Sequence, residues 1–122
     1  MSATIYGIKN CDTMKKAFAW LDEHSVAYSF HDYRKSGITP ETLARWCARL
    51  GWQTLINTRG TTWRKLDPAQ QALSAADDAI ALMITHPSVI RRPVIETASG
   101  ELIVGFDPER LGTLFDTSGA KA

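Results

Sequence analysis

An α/β fold, in which a four-stranded mixed sheet carries an inserted helical block, is predicted by three observations. A strand, a helix and a strand follow one another at the start of the chain, helical patterns fill about residues 39–90, and two short strands with a helix come last. Strands joined through a helix run parallel, whereas a hairpin is antiparallel, so together they give a mixed sheet. The chain has 122 residues, 44% of them apolar, and a net charge of +1, which suits one folded domain.

The first half of the sheet comes from a strand–helix–strand pattern. Residues 3–8 are short, β-branched and almost continuously apolar, which predicts a buried parallel strand. Asn10 offers an N-cap, and apolar residues at helical spacing predict a helix that runs through about His24. Alternating aromatic residues predict a second strand over residues 28–33. Cys11 is therefore expected in the first turn of the first helix.

The inserted block begins with an amphipathic helix. Thr39 and Pro40 mark its start, because a proline costs little at the first helical position. Apolar residues follow at i, i+3, i+4 and i+7, and Gly51 ends the helix. A turn at Arg59 and Gly60 then leads into a short helix over residues 61–65.

A second helical stretch completes the block. Pro68 reopens helical structure, and Ser74 with Asp77 three residues later predicts a capping box ahead of an apolar helical face. His86 and Pro87 end this helix.

The last part of the chain reads as a hairpin and a helix. Residues 94–97 and 101–104 are short apolar strands around a turn that contains glycine. Asp107 and Pro108 supply a cap and an N1 proline for the final helix.

The element order, βαβ followed by ββα, is that of the thioredoxin-like architecture. We expect one such domain over residues 1–117, with the helical insertion at about 39–90 and a frayed tail over residues 118–122.

Several functional classes are disfavoured by composition. No run of eighteen apolar residues occurs, and the N-terminus lacks the blocks of a secretory signal, so we expect a cytoplasmic protein without membrane association. Basic residues concentrate in the middle of the chain but form no nucleic-acid motif. Three dispersed histidines and two cysteines give no metal-ligand spacing. We therefore expect a monomer that has no metal, no bound cofactor and no nucleic-acid partner.

Cys11 is the candidate nucleophile. Unpaired NH groups and the positive end of the helix dipole favour a thiolate in the first turn of a helix. Met14 stands where the second cysteine of a C-x-x-C motif would be. An intermediate on Cys11 would thus be resolved by an external thiol such as glutathione or by the distant Cys47, although Cys47 shares an apolar helical face that favours packing.

Four separated sequence strings resemble the arsenate reductase (ArsC) family, and most closely its YffB-like branch, which is related to Spx regulators. They are YGIKNCDT at residues 6–13, FHDYRK at 30–35, NTRGTTWRKL at 57–66 and IRRP at 90–93. They occur in order over nearly the whole chain, and the resemblance implies the same thioredoxin-like fold with its helical insertion.

The resemblance also implies roles for individual residues. Cys11 matches the family's nucleophile, and Arg59 and Arg92 match two of the three arginines that hold the oxyanion. The third arginine is absent, because the sequence after the hairpin reads Val-Gly-Phe at 104–106. Pro93 matches the proline that is characteristically cis and faces the cysteine, which would leave the Arg92 backbone to pair with glutathione. Apart from the resemblance, the place of Asn10 before the helix leads us to expect that it caps the helix or donates to a bound anion.

The function expected from these residues is a glutathione-dependent thiol reductase with glutathione, and in some reactions glutaredoxin, as its partner. Arsenate reduction is the nearest alternative, and the absent third arginine weakens it. A second alternative is an Spx-like regulator that binds RNA polymerase and catalyses nothing. Redox-switched regulators of that kind use a C-x-x-C motif, and this chain has Met14 in place of the second cysteine.

Overall fold

The computed structural model describes residues 2–9 and 11–115, which form parts of two compact units. We call Met1–Asp32 together with Arg92–Ala122 the sheet unit, and Tyr33–Arg91 the helical unit. Asn10 and the predicted frayed tail at 118–122 lie outside the described residues.

The sheet unit contains four strands in the order β2-β1-β3-β4. Strand β1 pairs in parallel with β2 and antiparallel with β3, and β3 pairs antiparallel with β4. Ile5 on β1 lies between Phe30 of β2 and Ile95 of β3. The predicted α/β fold with a four-stranded mixed sheet is confirmed. The strands are β1 (Ser2–Gly7), β2 (Ala27–Asp32), β3 (Val94–Thr97) and β4 (Leu102–Val104).

Two helices belong to the sheet unit and the others to the helical unit. In chain order they are α1 (Asp12–Glu23), α2 (Tyr33–Ser36), α3 (Pro40–Leu50), α4 (Trp52–Leu55), α5 (Thr61–Lys65), α6 (Pro68–Gln71), α7 (Ala76–Thr85) and α8 (Pro108–Phe115), with a short 3-10 turn at Pro87–Val89.

The core of the sheet unit lies between one face of the sheet and helices α1 and α8. Helix α1 contributes Met14, Ala17 and Leu21, which recur at helical spacing and are fully buried. Burying apolar surface of this kind stabilises the folded state by about 25 cal/mol per Å². The side chains that meet this face come from the strands and α8: Ala3, Ile5, Ile95, Ile103, Leu111 and Phe115.

The helical unit is built around α3, which packs against α4 and α7. The predicted start of α3 is confirmed, because Oγ1 of Thr39 accepts a hydrogen bond from the NH of Thr42 (3.3 Å) and Pro40 is the first helical residue. Gly51 ends the helix with φ of 84°, a left-handed conformation that favours glycine. The short helix over residues 61–65 is also confirmed.

Three local predictions are wrong. Cys11 was expected in the first turn of α1 behind an Asn10 cap, but the helix begins one residue later, at Asp12, and Cys11 itself is the N-cap residue. Ser74 and Asp77 form no capping box, because α7 begins one residue later with Ala75 at its N-cap, and Ser74 hydrogen-bonds Asp78 instead. The second strand ends at Asp32, since Tyr33 already starts α2 and is buried.

The hairpin and the last helix match their predictions. Gly100 lies in the turn with φ of 93°, and its NH donates to the carbonyl of Thr97 (3.0 Å). Asp107 caps α8 by accepting a hydrogen bond from the NH of Arg110 (3.2 Å). Within residues 2–9 and 11–115, no helix combines the length and apolarity that crossing a bilayer requires.

Candidate active site

Cys11 lies in the connection between β1 and α1, directly before the first residue of α1. It is the N-cap residue of α1, with extended backbone angles (φ −137°, ψ 130°), and its carbonyl accepts a hydrogen bond from the NH of Lys15 (3.0 Å). The side chain is partly buried and packs against the core of the sheet unit. The thiol is thus held at the N-terminal end of α1, with part of its surface exposed to solvent.

The surroundings of Cys11 favour the thiolate. Burial of the thiol raises its pKa, but the backbone NH of Met14, a hydrogen bond from Arg92, the backbone NH of Thr13 and the charge of Arg92 all lower it. The net pKa lies below the ordinary value of 9.0. The neutral thiol is a weak acceptor and makes no capping hydrogen bond, so these groups act mainly on the charged form.

Arg92 and Pro93 come from the segment that enters β3. The peptide bond between them is cis, as predicted, and Pro93 is buried. The carbonyl of Pro93 accepts a hydrogen bond from the NH of Gly105 (2.8 Å), which ties this segment to the end of β4. Arg92 is partly buried and is the arginine that acts on Cys11.

The end of the hairpin carries no arginine. Gly105 has φ of 84°, a conformation that favours glycine, and Phe106 packs against the core of the sheet unit. Where the family resemblance would place an arginine, this chain has a tight backbone turn and an apolar contact.

Arg59 lies in the helical unit, in the loop between α4 and α5. Its backbone NH donates to Oδ1 of Asn57 (3.1 Å), and its side chain is exposed. Arg91 belongs to the same unit; its NH donates to the carbonyl of Leu55 (2.7 Å), and its side chain is also exposed. The structure thus places Cys11, Arg92 and Pro93 in one unit and Arg59 in the other.

Cys47 differs from Cys11 in its electrostatic surroundings. Both are free thiols, and both are partly buried. Burial alone raises the pKa of Cys47 above 9.0, with no NH group or cation to reverse the effect. Among the described residues, no group of three or more His, Cys, Asp and Glu side chains could hold a metal ion.

A polar cavity of about 460 Å³ lies at the other end of the sheet from Cys11. Its lining comes from the starts of β1 and β2, the end of β3 and the turn after β3, and includes Thr4, Ser29 and Glu96. It contains none of the residues predicted for the site, so thiol chemistry has no place there.

The part of the site that sequence reasoning missed is the role of Met14. The sequence marked this residue only as a missing second cysteine, whereas its backbone NH is the strongest of the groups that lower the Cys11 pKa. Helix geometry could have revealed this role. Met14 is the third residue of α1, and the NH group at that position normally hydrogen-bonds the side chain of the N-cap residue, here Cys11.

Solved structures resemble this chain over almost its entire length. The YffB protein is 56% identical, with a TM-score of 0.87 over 91% of this chain and 96% of its own. An arsenate reductase (ArsC) related protein from Brucella melitensis is 48% identical, with a TM-score of 0.73 over 94% of this chain and 95% of its own.

A regulator is also among the relatives. The global transcriptional regulator Spx of Streptococcus mutans is 28% identical over 110 residues, which are 88% of this chain and 79% of Spx. The sequence pattern of the ArsC family matches residues 6–114. Because that match covers most of the chain and both solved relatives carry the same fold, the protein belongs to the ArsC family, a thiol reductase family.

Proposed function

We propose that the protein is a glutathione-dependent thiol reductase in which the Cys11 thiolate is the nucleophile. The observation that carries the proposal is the setting of Cys11: an N-cap thiol whose pKa is lowered by the NH groups of α1 and by the Arg92 guanidinium. A lowered pKa keeps more of the sulfur in its reactive form near neutral pH.

The reaction proceeds in two exchanges. The Cys11 thiolate attacks one sulfur of a disulfide, forms a mixed disulfide and releases the other half as a thiolate. The glutathione thiolate then attacks the substrate sulfur of that mixed disulfide and releases the Cys11 thiolate. The net change is one substrate thiol released and one glutathione joined to the other half. Met14 leaves no neighbouring thiol to compete with glutathione for the second step.

Arg92 supports this chemistry in two ways. Its guanidinium stabilises the Cys11 thiolate and would meet a carboxylate of glutathione. Its backbone, as the family resemblance implies, would pair with the extended glutathione peptide. The role of Arg59 in holding the anion rests on the family resemblance, and that of Asn10 on its place before the helix. We expect Arg59→Gln to lower the rate of glutathione-driven disulfide turnover, and an unchanged rate would remove Arg59 from the site.

The test is disulfide turnover with glutathione as the only reductant, measured for the wild type, Cys11→Ser and Cys47→Ser. We expect Cys11→Ser to fall to the uncatalysed rate and Cys47→Ser to match the wild type. Adding glutaredoxin to the same assay shows whether it accelerates the second exchange. A Cys11→Ser protein that retains the wild-type rate removes Cys11 from the mechanism and ends the proposal.

Arsenate is the second substrate for the same assay. The ArsC-related structure from Brucella melitensis favours testing it. The hairpin end, with Gly105 and Phe106 in place of an arginine, argues against strong arsenate binding. We therefore expect disulfide turnover to exceed arsenate turnover, and the reverse ranking would make arsenate the substrate.

A non-catalytic role has one observation in its favour, the similarity to Spx of Streptococcus mutans. An Spx-like regulator would bind purified RNA polymerase with or without an intact Cys11. Binding that persists in Cys11→Ser, together with no turnover of any disulfide by the wild type, would favour the regulator over the reductase.

A further inference from the structure

The first turn of α1 rests directly on the backbone of β1. Gly7, the last residue of β1, is buried, and Met14 in the first turn of α1 is fully buried. A Cβ atom at Gly7 would overlap Sδ of Met14 and lie 2.7 Å from its Cε. Real Cβ atoms do not approach so closely, so a larger residue at position 7 would require the flexible end of the Met14 side chain to shift.

Gly7 is required for space and not for backbone freedom. The glycines with positive φ in the described chain are Gly37, Gly51, Gly100 and Gly105, and Gly7 is not among them. The glycine at the end of β1 therefore serves to admit the Met14 side chain.

We propose that Met14 is a positioning residue for the proposed reaction: its side chain, seated on Gly7, holds the first turn of α1 against β1 so that the NH groups of Thr13 and Met14 face the sulfur of Cys11. The inference rests on the proposed function and extends it to a residue that touches neither substrate nor glutathione.

The argument follows from one residue having two contacts. The Met14 side chain packs in the core of the sheet unit, and its backbone NH acts on the Cys11 sulfur. Because the buried side chain anchors the Cα of Met14 to the core, removing that side chain frees the Cα, and the NH group attached to it, to shift relative to the sulfur. The strength of an NH-to-sulfur interaction falls steeply as its distance and angle change.

The charged groups near the thiol do not replace this arrangement. Arg92, from the segment before β3, is the charged group that acts on Cys11. On either side of Cys11 along the chain, Lys9, Asp12 and Lys15 are exposed. Solvent screens exposed charges, so the NH groups of α1 remain a separate and strong support for the thiolate.

The measurement is the pH midpoint for alkylation of Cys11 by iodoacetamide, in a Cys47→Ser background. We expect Met14→Ala to raise the midpoint by about one pH unit, a tenfold loss of thiolate at lower pH. Gly7→Ala should raise the midpoint by less, because the flexible thioether can turn aside. Met14→Leu keeps an apolar side chain of similar volume and should retain the wild-type midpoint. In the Met14→Ala background, Gly7→Ala should add no further rise, because no side chain is left to displace.

Two control variants separate positioning from general loss of stability. Leu21→Ala truncates another fully buried residue of α1, two turns away, and should lower stability as much as Met14→Ala without moving the midpoint. Gly112→Ala adds a methyl group to a glycine of α8, where the new Cβ would meet no atom of another element within 4 Å. It should leave the alkylation midpoint unchanged.

The outcomes distinguish this inference from the proposed function. A wild-type midpoint at the ordinary value of 9.0 would end the proposed function itself. A low wild-type midpoint that Met14→Ala leaves unchanged, or that Leu21→Ala raises equally, would overturn the positioning role alone. If Gly7→Ala does not fold, the comparison of Met14→Leu, Met14→Ala and Leu21→Ala decides the question.

Discussion

The two cysteines show how strongly local surroundings decide reactivity. Each is partly buried, and burial raises the pKa of each thiol. Only Cys11 has opposing groups, namely helix NH groups and the Arg92 guanidinium, and only its pKa ends below the ordinary value. Cys47, in the last turn of α3, has no free NH group or cation acting on its thiol. Cysteine content alone could not have distinguished these thiols, whereas position within a helix did.

Replacing Arg92 should raise the pKa of Cys11. In Arg92→Gln the guanidinium charge and its hydrogen bond to the sulfur are both lost, so we expect the alkylation midpoint to rise by about one pH unit. The measurement uses the Cys47→Ser background. Arg91→Gln is the matched control, because Arg91 is exposed and does not act on Cys11; an equal rise in both variants would assign the effect to net charge and not to Arg92.

At the scale of elements, side-chain caps fix where several helices begin. Thr39 caps α3, and Asp107 caps α8. Asp67 and Gln70 form a reciprocal capping box at α6, in which Asp67 Oδ1 accepts from the NH of Gln70 (2.9 Å) and Gln70 Oε1 accepts from the NH of Asp67 (3.1 Å). Such caps satisfy NH groups that have no partner within the helix.

Loss of the α3 cap should destabilise the protein without unfolding it. Thr39→Ala removes the oxygen that accepts from the NH of Thr42, and we expect the free energy of unfolding to fall by about 1 kcal/mol. Thr39→Ser keeps the oxygen and should stay close to the wild type. Urea unfolding measures both variants, and equal losses would show that the methyl group, not the cap, carries the effect.

The predictability of elements followed the strength of their local signals. The start of α3 was predictable because Thr39, Pro40 and a helical apolar pattern agree. The start of α7 was not, since the Ser74 hydroxyl bonds Asp78 and leaves Ala75, which has no polar side chain, at the N-cap. The four-residue helix α4 has no side-chain cap and too few residues for a periodic pattern. Tertiary packing decides such short segments.

At the scale of the whole molecule, the perturbed cysteines link stability to pH in opposite directions. The Cys11 pKa is lower in the folded protein than in an unfolded chain, so its stabilising contribution is present above pH 9.0 and is lost as pH falls through the folded pKa. The Cys47 pKa is raised, so its contribution is present below pH 9.0 and is lost as pH rises through the folded pKa.

The pH dependence of unfolding should therefore separate the two thiols. Between the wild type and Cys11→Ser, the difference in the free energy of unfolding should grow in favour of the wild type as pH rises towards 9.0. Between the wild type and Cys47→Ser, the difference should shift against the wild type above pH 9.0. Urea unfolding at a series of pH values checks both, and parallel curves for all three proteins would contradict the assigned pKa directions.

The candidate site was predictable in two ways. The place of Cys11 at the start of α1 follows from the strand-to-helix connection, whereas the cis state of Pro93 was expected from the family resemblance. The position of Met14 on Gly7 was not predictable from periodicity, because an apolar residue at this place fits any buried helical face. Only the distance between the backbone of β1 and the thioether shows that a larger residue at position 7 would displace the end of the Met14 side chain.

The order of strands has a mechanical consequence for Cys11. β1 is paired on both sides, to β2 and to β3, whereas β2 and β4 stand at the two margins of the sheet. Pulling β1 out would break two hydrogen-bond ladders at once, while a marginal strand can peel away after breaking one. Thermal opening should therefore begin at the edge strands, and β1, the strand that precedes Cys11, should be among the last to separate from the sheet.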